Sequence, residues 1–234
     1  MEPRFFLTAT RQFLGLPVTA DTCYICESPQ SMVPNGEHSH HTRGRINKRH
    51  TLVKDVTYDI VKHARTATDN QYGVEAEQRL EDLGFTRVSA DEGRDIADIV
   101  LLSTTGPATC VVIDIAVVHP RFDTPGDWVP GAKAEREALD KWKKYSVWNI
   151  PRADVIPLVL DTYGGINKAG LEFINYASAL IACGNADRLQ EIRRCFRESL
   201  AVARVRGQGR LVEAWNRMNR FKSGPGVGGQ YLSI

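Results

Sequence analysis

The sequence lacks the features of a secreted or membrane-spanning chain. Its five cysteines are an odd number and only two lie close together, which argues against a disulfide framework and indicates a reducing compartment. No apolar run approaches the roughly 20 residues that cross a bilayer. The first segment, MEPRFFLTATRQFLGLPV, is typical of an amphipathic helix rather than a secretory signal. A strong net charge is also missing, because the formal total is only +2, while 42% of the residues are hydrophobic. We therefore expect a soluble, intracellular protein with one substantial core.

Three apolar runs predict the strands of a central sheet: DIVLL, CVVIDIAVV and VIPLVL. Helices are indicated by the four-residue spacing of Leu52, Val56, Ile60 and Ala64, by the charged run AKAEREALDKWKKY and by the basic stretch 168–218. The segment YGVEAEQRLEDLG fits either a helix or a strand. This order predicts an α/β fold in which a mixed central sheet is flanked by helices, with an extra N-terminal segment and a mobile glycine-rich tail.

Asp114 interrupts the most apolar of these strands, and Asp98 opens the preceding one. An ionised carboxylate is unfavourable to bury unless a cation meets it. Neighbouring strands lie about 4.8 Å apart, so the two carboxylates can converge, and a divalent metal would relieve both their repulsion and the cost of burial. Oxygen ligands favour Mg²⁺ or Mn²⁺, which can activate a water and neutralise charge on a phosphodiester. The alternative is that each aspartate caps a turn or forms a structural ion pair.

The helical run AEREALDKWKKY is the expected source of a cation for this site. Ala116, two residues after Asp114 on the same face of the strand, supplies none. Lys141 and Lys144 lie one helical turn apart, and Lys141 can reach the acidic end of the sheet from the edge of the packing face. That packing face is predicted to comprise Ala134, Ala138, Trp142 and Tyr145. A solvated helix face is the alternative interpretation of the same charges.

Together these motifs resemble the C-terminal part of non-LTR retrotransposon polyproteins, the region after the reverse transcriptase. That region carries a zinc finger and a restriction-like endonuclease of the PD-(D/E)xK superfamily. The resemblance covers most of the chain and depends on five motifs in order: CYIC…GEHSHHTRGRINKRHTLVKDV, RDIADIVL, VVIDIAVVHP, EALDKWKKY and VIPLVLDTYGGINKAGLEFI. It implies an N-terminal helix and zinc-finger segment over residues 1–46, a restriction-endonuclease-like core over 47–165 and a basic helical extension over 166–234.

The resemblance also implies roles for individual residues. Asp98 and Asp114 correspond to the metal-binding acids, and Lys141 corresponds to the catalytic lysine, which these nucleases carry on the helix. Lys144 and Tyr145 would support that lysine or contact phosphate.

Three further positions match the family pattern or depart from it. Glu77 corresponds to an acid that some superfamily members contribute from an earlier element, and is a tentative third metal ligand. Asp95 stands where the family commonly has proline, in a position that mainly shapes the turn. Ala116 stands where the superfamily has its lysine, in agreement with a lysine moved to the helix.

The predicted finger begins with the CxxC pair Cys23 and Cys26 and continues with the histidines of GEHSHH. Two thiolates and two imidazoles form a tetrahedral Zn²⁺ site, which would supply folding energy that this polar segment lacks. The family usually has a cysteine four residues after His38, and here that cysteine is absent. We therefore expect His38 and His41 as ligands, with His40 as the alternative to His41. A chance CxxC beside surface histidines is the competing interpretation.

Basic clusters predict where nucleic acid would bind, although half of these side chains could equally be solvated helix faces. The predicted contact residues are Arg43, Arg45, Lys48, Arg49, Arg193, Arg194 and Arg197. The sequence thus predicts a nuclear, Mg²⁺- or Mn²⁺-dependent endonuclease with a structural zinc. It would nick target duplex DNA to prime reverse transcription, with element RNA as a second candidate partner. The alternatives are a nucleic-acid-binding module that has lost cleavage, and a zinc-dependent domain that binds protein.

Overall fold

The computed structural model describes residues 46–68, 71–88, 96–103, 109–119, 129 and 131–223, and only the backbone of 46–48 and 211–223. These residues belong to two compact units: Val53–Val202, and the described parts of Met1–Leu52 and Ala203–Ile234. The elements in chain order are α1 (Ile46–Ala67), β1 (Tyr72–Arg79), β2 (Ile96–Ser103), β3 (Cys110–Val118), α2 (Ala132–Ser146), β4 (Val155–Asp161), α3 (Lys168–Ala182) and α4 (Ala186–Ser223).

The four strands form one mixed sheet in the order β1-β2-β3-β4. Strand β2 is antiparallel to both β1 and β3, with Val100 opposite Val112. Strands β3 and β4 are parallel, with Val112 opposite Val155. A parallel pair needs a crossover connection, and α2 supplies it by packing against both strands. The inner strand β3, which carries Asp114, therefore has a neighbouring strand on each side.

The segment that fits either a helix or a strand by sequence forms β1 at the edge of the sheet. Val74 is the buried member of its eight residues, whereas Glu75 and Glu77 are exposed. Charged, outward-facing side chains are typical of an edge strand, because they discourage pairing with another chain. Pairing with β2 supplies the backbone hydrogen bonds that make the strand the stable choice.

Helix α2 covers one face of the sheet. Ala134 and Ala138 pack with Val159, while Tyr145 packs in a second cluster with Val112. Trp142 is partly buried and packs against both clusters, and its Nε1 donates a hydrogen bond to the Val155 carbonyl at 3.0 Å. The predicted packing face of this helix is confirmed.

The opposite face of the sheet is covered by α3 and by the part of α1 from Val53 onward. Ala64, Phe173 and Ala177 from these helices face Leu101 and Ile156 of the sheet around an apolar cavity of about 170 Å³. Because β3 and β4 are covered on both sides, their sequences are nearly continuous apolar runs. Asp114 stands in the middle of such a run. Its burial costs free energy, which contacts with other side chains must offset.

The long C-terminal stretch is helical as predicted, with one break. Cys183 and Gly184 end α3 in the left-handed conformation, at φ 49° and 82°. Asn185 then caps α4, because its Oδ1 accepts a hydrogen bond from the Arg188 amide at 3.0 Å. Across the described ranges, none of the helices is both long enough and apolar enough to cross a membrane.

The α/β class, with a mixed central sheet flanked by helices, is confirmed. The predicted N-terminal helix, the zinc-finger segment and the glycine-rich tail lie outside the described residues. The restriction-endonuclease-like architecture and the boundaries at 1–46, 47–165 and 166–234 stay predictions.

Candidate active site

The hydrogen-bond ladder between β2 and β3 ends just before the two aspartates. Its last pair is Ile99 opposite Ile113. One further step in this antiparallel register places Asp98 opposite Asp114, so that both side chains belong to one face of the sheet. There the backbone N–H of Ile115 donates to Oδ2 of Asp98 at 2.7 Å. Each strand continues with its outer neighbour, β2 with β1 and β3 with β4. The hydrogen-bonded sheet therefore forks at the acidic pair.

Asp114 is 2% exposed and is met by two ammonium groups from α2. Lys141 Nζ lies 2.9 Å from its Oδ1, and Lys144 Nζ lies 3.2 Å from its Oδ2. The Tyr145 hydroxyl also hydrogen-bonds the carboxylate. Lys144 Nζ in turn lies 3.5 Å from that hydroxyl and 4.7 Å from the centre of the Tyr145 ring. Each carboxylate oxygen of Asp114 thus has a charged partner, which offsets its burial.

Burial and charge act in opposite directions on these groups. Burial alone would raise the pKa of Asp114, but the charges of Lys141 and Lys144, with hydrogen bonds from Lys141 and Tyr145, outweigh it and lower the pKa below its ordinary value of 3.8. Burial alone would lower the pKa of Lys141, but Asp114 and, to a smaller extent, Asp98 raise it above 10.5. Asp114 and Lys141 are therefore both charged at neutral pH. Because Asp98 acts on Lys141, the two aspartates share one electrostatic site.

The periodicity of α2 explains why its lysines reach the sheet. Ala138 and Tyr145 are buried seven residues apart, on the stripe that faces the strands. Lys141 lies between them, three residues after the first and four before the second, and Lys144 follows one turn later. Their side chains are 20% and 31% exposed, because the stems are covered while the ammonium groups extend to Asp114.

Ala116 lies beneath the same helix. It is two residues beyond Asp114 on β3 and packs against the cluster formed by Ala134, Ala138 and Val159. A long side chain at position 116 would meet α2. The strand therefore supplies no amine at this position, whereas the helix above it supplies two.

Asp161 fixes the start of α2, although it is not among the site residues predicted from the sequence. Its Oδ2 accepts a hydrogen bond from the Gly131 amide at 2.9 Å, and its Oδ1 accepts from the amides of Tyr163 and Gly165 at 2.8 Å. Gly131 is the N-cap of α2 and has φ 81°. The carboxylate thus ties the end of β4 to the helix that carries the two lysines. The signal was an aspartate directly after an apolar strand and before a glycine-rich turn, in DTYGG.

Glu77 does not join the aspartates. The register of β1 with β2 would place it opposite Asp98, but its backbone is left-handed at φ 56°. Its side chain is 65% exposed and forms an ion pair with Lys54 of α1. Within the part of the chain that the structure describes, no three aspartate, glutamate, histidine or cysteine side chains come together. The tentative assignment of Glu77 as a third ligand therefore gains no support from the fold.

The predicted zinc ligands lie outside the described residues, as do two of the predicted DNA contacts and the side chain of Lys48. These residues are Cys23, Cys26, His38, His40, His41, Arg43 and Arg45. On α4, Arg194 and Arg197 are exposed and Arg193 is half-buried. Arg194 Nε lies 3.9 Å from a carboxylate oxygen of Glu198.

Arg49 differs from the other predicted DNA contacts because it is buried, at 1% exposure. It lies against α4, where a Cβ on Gly207 would come within 2.7 Å of its Cα. Burial, and then the charge of Arg204, lower the pKa of Arg49 to about 10. A side chain packed in this way has a structural position rather than one on a surface that meets phosphate.

Comparison with protein-family models gives no match, and comparison with curated proteins gives no significant match.

Proposed function

We propose that this protein is a metal-dependent DNA endonuclease. The observation that carries the proposal is that Lys141 and Lys144 of α2 hold the buried Asp114 carboxylate, next to the strand that carries Asp98. The charge of Asp98 acts on the same Lys141. Paired carboxylates with adjacent amines are suited to phosphodiester hydrolysis, which needs an activated water and stabilisation of negative charge. The order of motifs in the sequence points to the same reaction.

The donor set fits a small divalent cation. Mg²⁺ is usually held by one or two carboxylates together with waters and substrate phosphates, so Asp98 and Asp114 are sufficient without Glu77. Mg²⁺ or Mn²⁺ held by these two residues would activate a water and neutralise charge on the phosphodiester.

The side chains around the proposed metal site have separate roles in this proposal. Lys141 keeps Asp114 ionised and presents an ammonium group that can stabilise charge on a phosphate oxygen. Tyr145 holds the Asp114 carboxylate by a hydrogen bond. Asp98 is oriented by the Ile115 amide, which donates a hydrogen bond to its Oδ2.

The partner in this proposal is target duplex DNA, with element RNA as a second candidate. Exposed Arg194 and Arg197 on α4 are suited to contacts with phosphate. A cut target strand would provide the primer for reverse transcription, and a structural Zn²⁺ and a nuclear location belong to the same proposal.

The test is nicking of supercoiled plasmid in Mn²⁺ by the wild type and by Asp114→Ala. Asp140→Ala is the matched control, since it removes an exposed aspartate of the same helix, which pairs with Lys143. We expect nicking by the wild type and the control, and loss of at least about a hundredfold in Asp114→Ala. Circular dichroism verifies that all three are folded. Equal nicking by Asp114→Ala, or none by the wild type, overturns the proposal.

A second candidate is a nucleic-acid-binding module that retains the fold without cleaving. Both oxygens of Asp114 are already held by lysines, which also suits a purely structural ion-pair cluster. Gel shifts over a salt series separate this candidate from the nuclease: DNA affinity that falls with salt in the absence of nicking would support it.

A further inference from the structure

The acidic pair and its lysines have no net formal charge. Two carboxylates, on Asp98 and Asp114, are balanced by two ammonium groups, on Lys141 and Lys144. A divalent cation approaching the free protein is attracted by the first pair and repelled by the second. It also finds both oxygens of Asp114 already accepting hydrogen bonds.

The two lysines are not equivalent. Lys141 makes the shorter contact, 2.9 Å, and its side chain is 20% exposed. Lys144 makes the longer contact, 3.2 Å, is 31% exposed and lies two residues before the end of α2. Its ammonium also has a second set of neighbours, the hydroxyl and ring of Tyr145. Of the two lysines, Lys144 therefore loses less interaction energy when it leaves Asp114.

We propose that Lys144 occupies Oδ2 of Asp114 in the substrate-free protein and moves to a phosphate when DNA binds, so that divalent-metal binding at Asp98 and Asp114 is coupled to DNA binding. This inference rests on the proposed nuclease function. The phosphate provides the ammonium with a new anionic acceptor and adds negative charge near the site. Release of Oδ2 leaves a ligand for the metal. By linkage, the metal tightens DNA binding by the same factor by which DNA tightens metal binding.

The experiment measures Mn²⁺ binding to the full chain by the electron paramagnetic resonance signal of free Mn²⁺, with and without a short duplex. Asp114→Ala is titrated under both conditions, and its binding is subtracted to remove Mn²⁺ held by the duplex or elsewhere on the protein. Lys144→Met removes the ammonium and keeps an apolar stem. Lys143→Met is the matched control, because Lys143 is 78% exposed and pairs with Asp140.

We expect the duplex to tighten Asp114-dependent Mn²⁺ binding by about tenfold or more in the wild type and in Lys143→Met. Lys144→Met should bind Mn²⁺ about tenfold more tightly than the wild type without DNA, and should gain about threefold or less from the duplex. Equal wild-type affinity for Mn²⁺ with and without duplex overturns the inference and leaves the nuclease proposal standing. So does a Lys144→Met variant that, without DNA, binds Mn²⁺ no more tightly than the wild type. Absence of Asp114-dependent Mn²⁺ binding in every arm overturns both.

Discussion

Gly165 lies directly against the carboxylate of Asp161. A Cβ at position 165 would overlap Oδ2 of that carboxylate and would come within 2.7 Å of the Gly131 Cα. The absence of a side chain therefore lets three backbone amides close around Asp161 and fixes where α2 begins. The position of the two lysines over the sheet depends on this contact, because they are carried by that helix.

Gly165→Ala should lower the free energy of unfolding by about 1–3 kcal/mol, since the added methyl meets backbone that cannot move without shifting α2. Urea denaturation at neutral pH measures the change. Gly73→Ala is the control: a Cβ there meets Leu102 at an ordinary 3.6 Å, and its effect should stay within about 0.5 kcal/mol. Equal stability of the two variants would show that the turn around Asp161 is not tightly packed.

The ion pairs of Asp114 predict a specific dependence of stability on pH. The folded pKa of Asp114 lies below its ordinary value of 3.8, so the stability it contributes is present above that value and is lost as pH falls through the folded pKa. The folded pKa of Lys141 lies above 10.5, so its contribution is present below that value and is lost as pH rises through the raised folded pKa.

Asp114→Asn should therefore lose less stability than the wild type when the pH is lowered from about 5 to about 3. Urea denaturation across this range measures the difference in slope. Asp140→Asn, an exposed change on α2, should keep the wild-type slope. Identical slopes for the wild type and Asp114→Asn would mean that Asp114 gains no net stabilisation from its lysines.

Asn167 is a buried side chain whose two ends have opposite hydrogen-bonding roles. Its Nδ2 donates to the Pro157 carbonyl and its Oδ1 accepts from the Val159 amide, each at 2.9 Å. Asn167→Asp replaces the donor by an acceptor that faces a carbonyl, and should lower the free energy of unfolding by about 2–4 kcal/mol at neutral pH. Thermal or urea denaturation measures the loss.

Asn185→Asp provides the matched control for that substitution. Asn185 caps α4 by accepting the Arg188 amide, a role that aspartate fills equally well beside the positive end of a helix. Its effect should be within about 0.5 kcal/mol or slightly stabilising. Comparable losses at positions 167 and 185 would contradict the opposed roles of the Asn167 amide.

Ala116→Lys tests whether the strand could carry the lysine itself. Because Ala116 packs beneath α2, the substitution should lower the free energy of unfolding by about 1–3 kcal/mol. We expect Lys141→Ala to lose plasmid nicking, and Ala116→Lys should not restore it. Leu139→Lys introduces the same residue at a position that is 48% exposed, and should be nearly neutral. Restored nicking in the double variant Ala116→Lys/Lys141→Ala would show that α2 can shift to accommodate a lysine at position 116.

The sequence alone was sufficient to predict the α/β class, three of the four strands (β2, β3 and β4) and the packing face of α2. These features depend on periodicity within a short segment: strands covered on both sides become continuous apolar runs, and a helix on a sheet places small and aromatic residues at helical spacing. The sequence also predicted that Asp114 needs cationic partners, because an ionised carboxylate in a buried apolar strand is unfavourable without them.

Only the tertiary structure decided which cations meet Asp114 and which other residues lie near it. The choice of a strand for residues 72–79 depends on pairing with β2, and the separation of Glu77 from the aspartates depends on its backbone conformation and on Lys54. The assignment of one lysine to each oxygen of Asp114 depends on where Asp161 anchors α2. These contacts join residues that are distant in sequence, so their geometry follows from strand register and helix placement rather than from any local pattern.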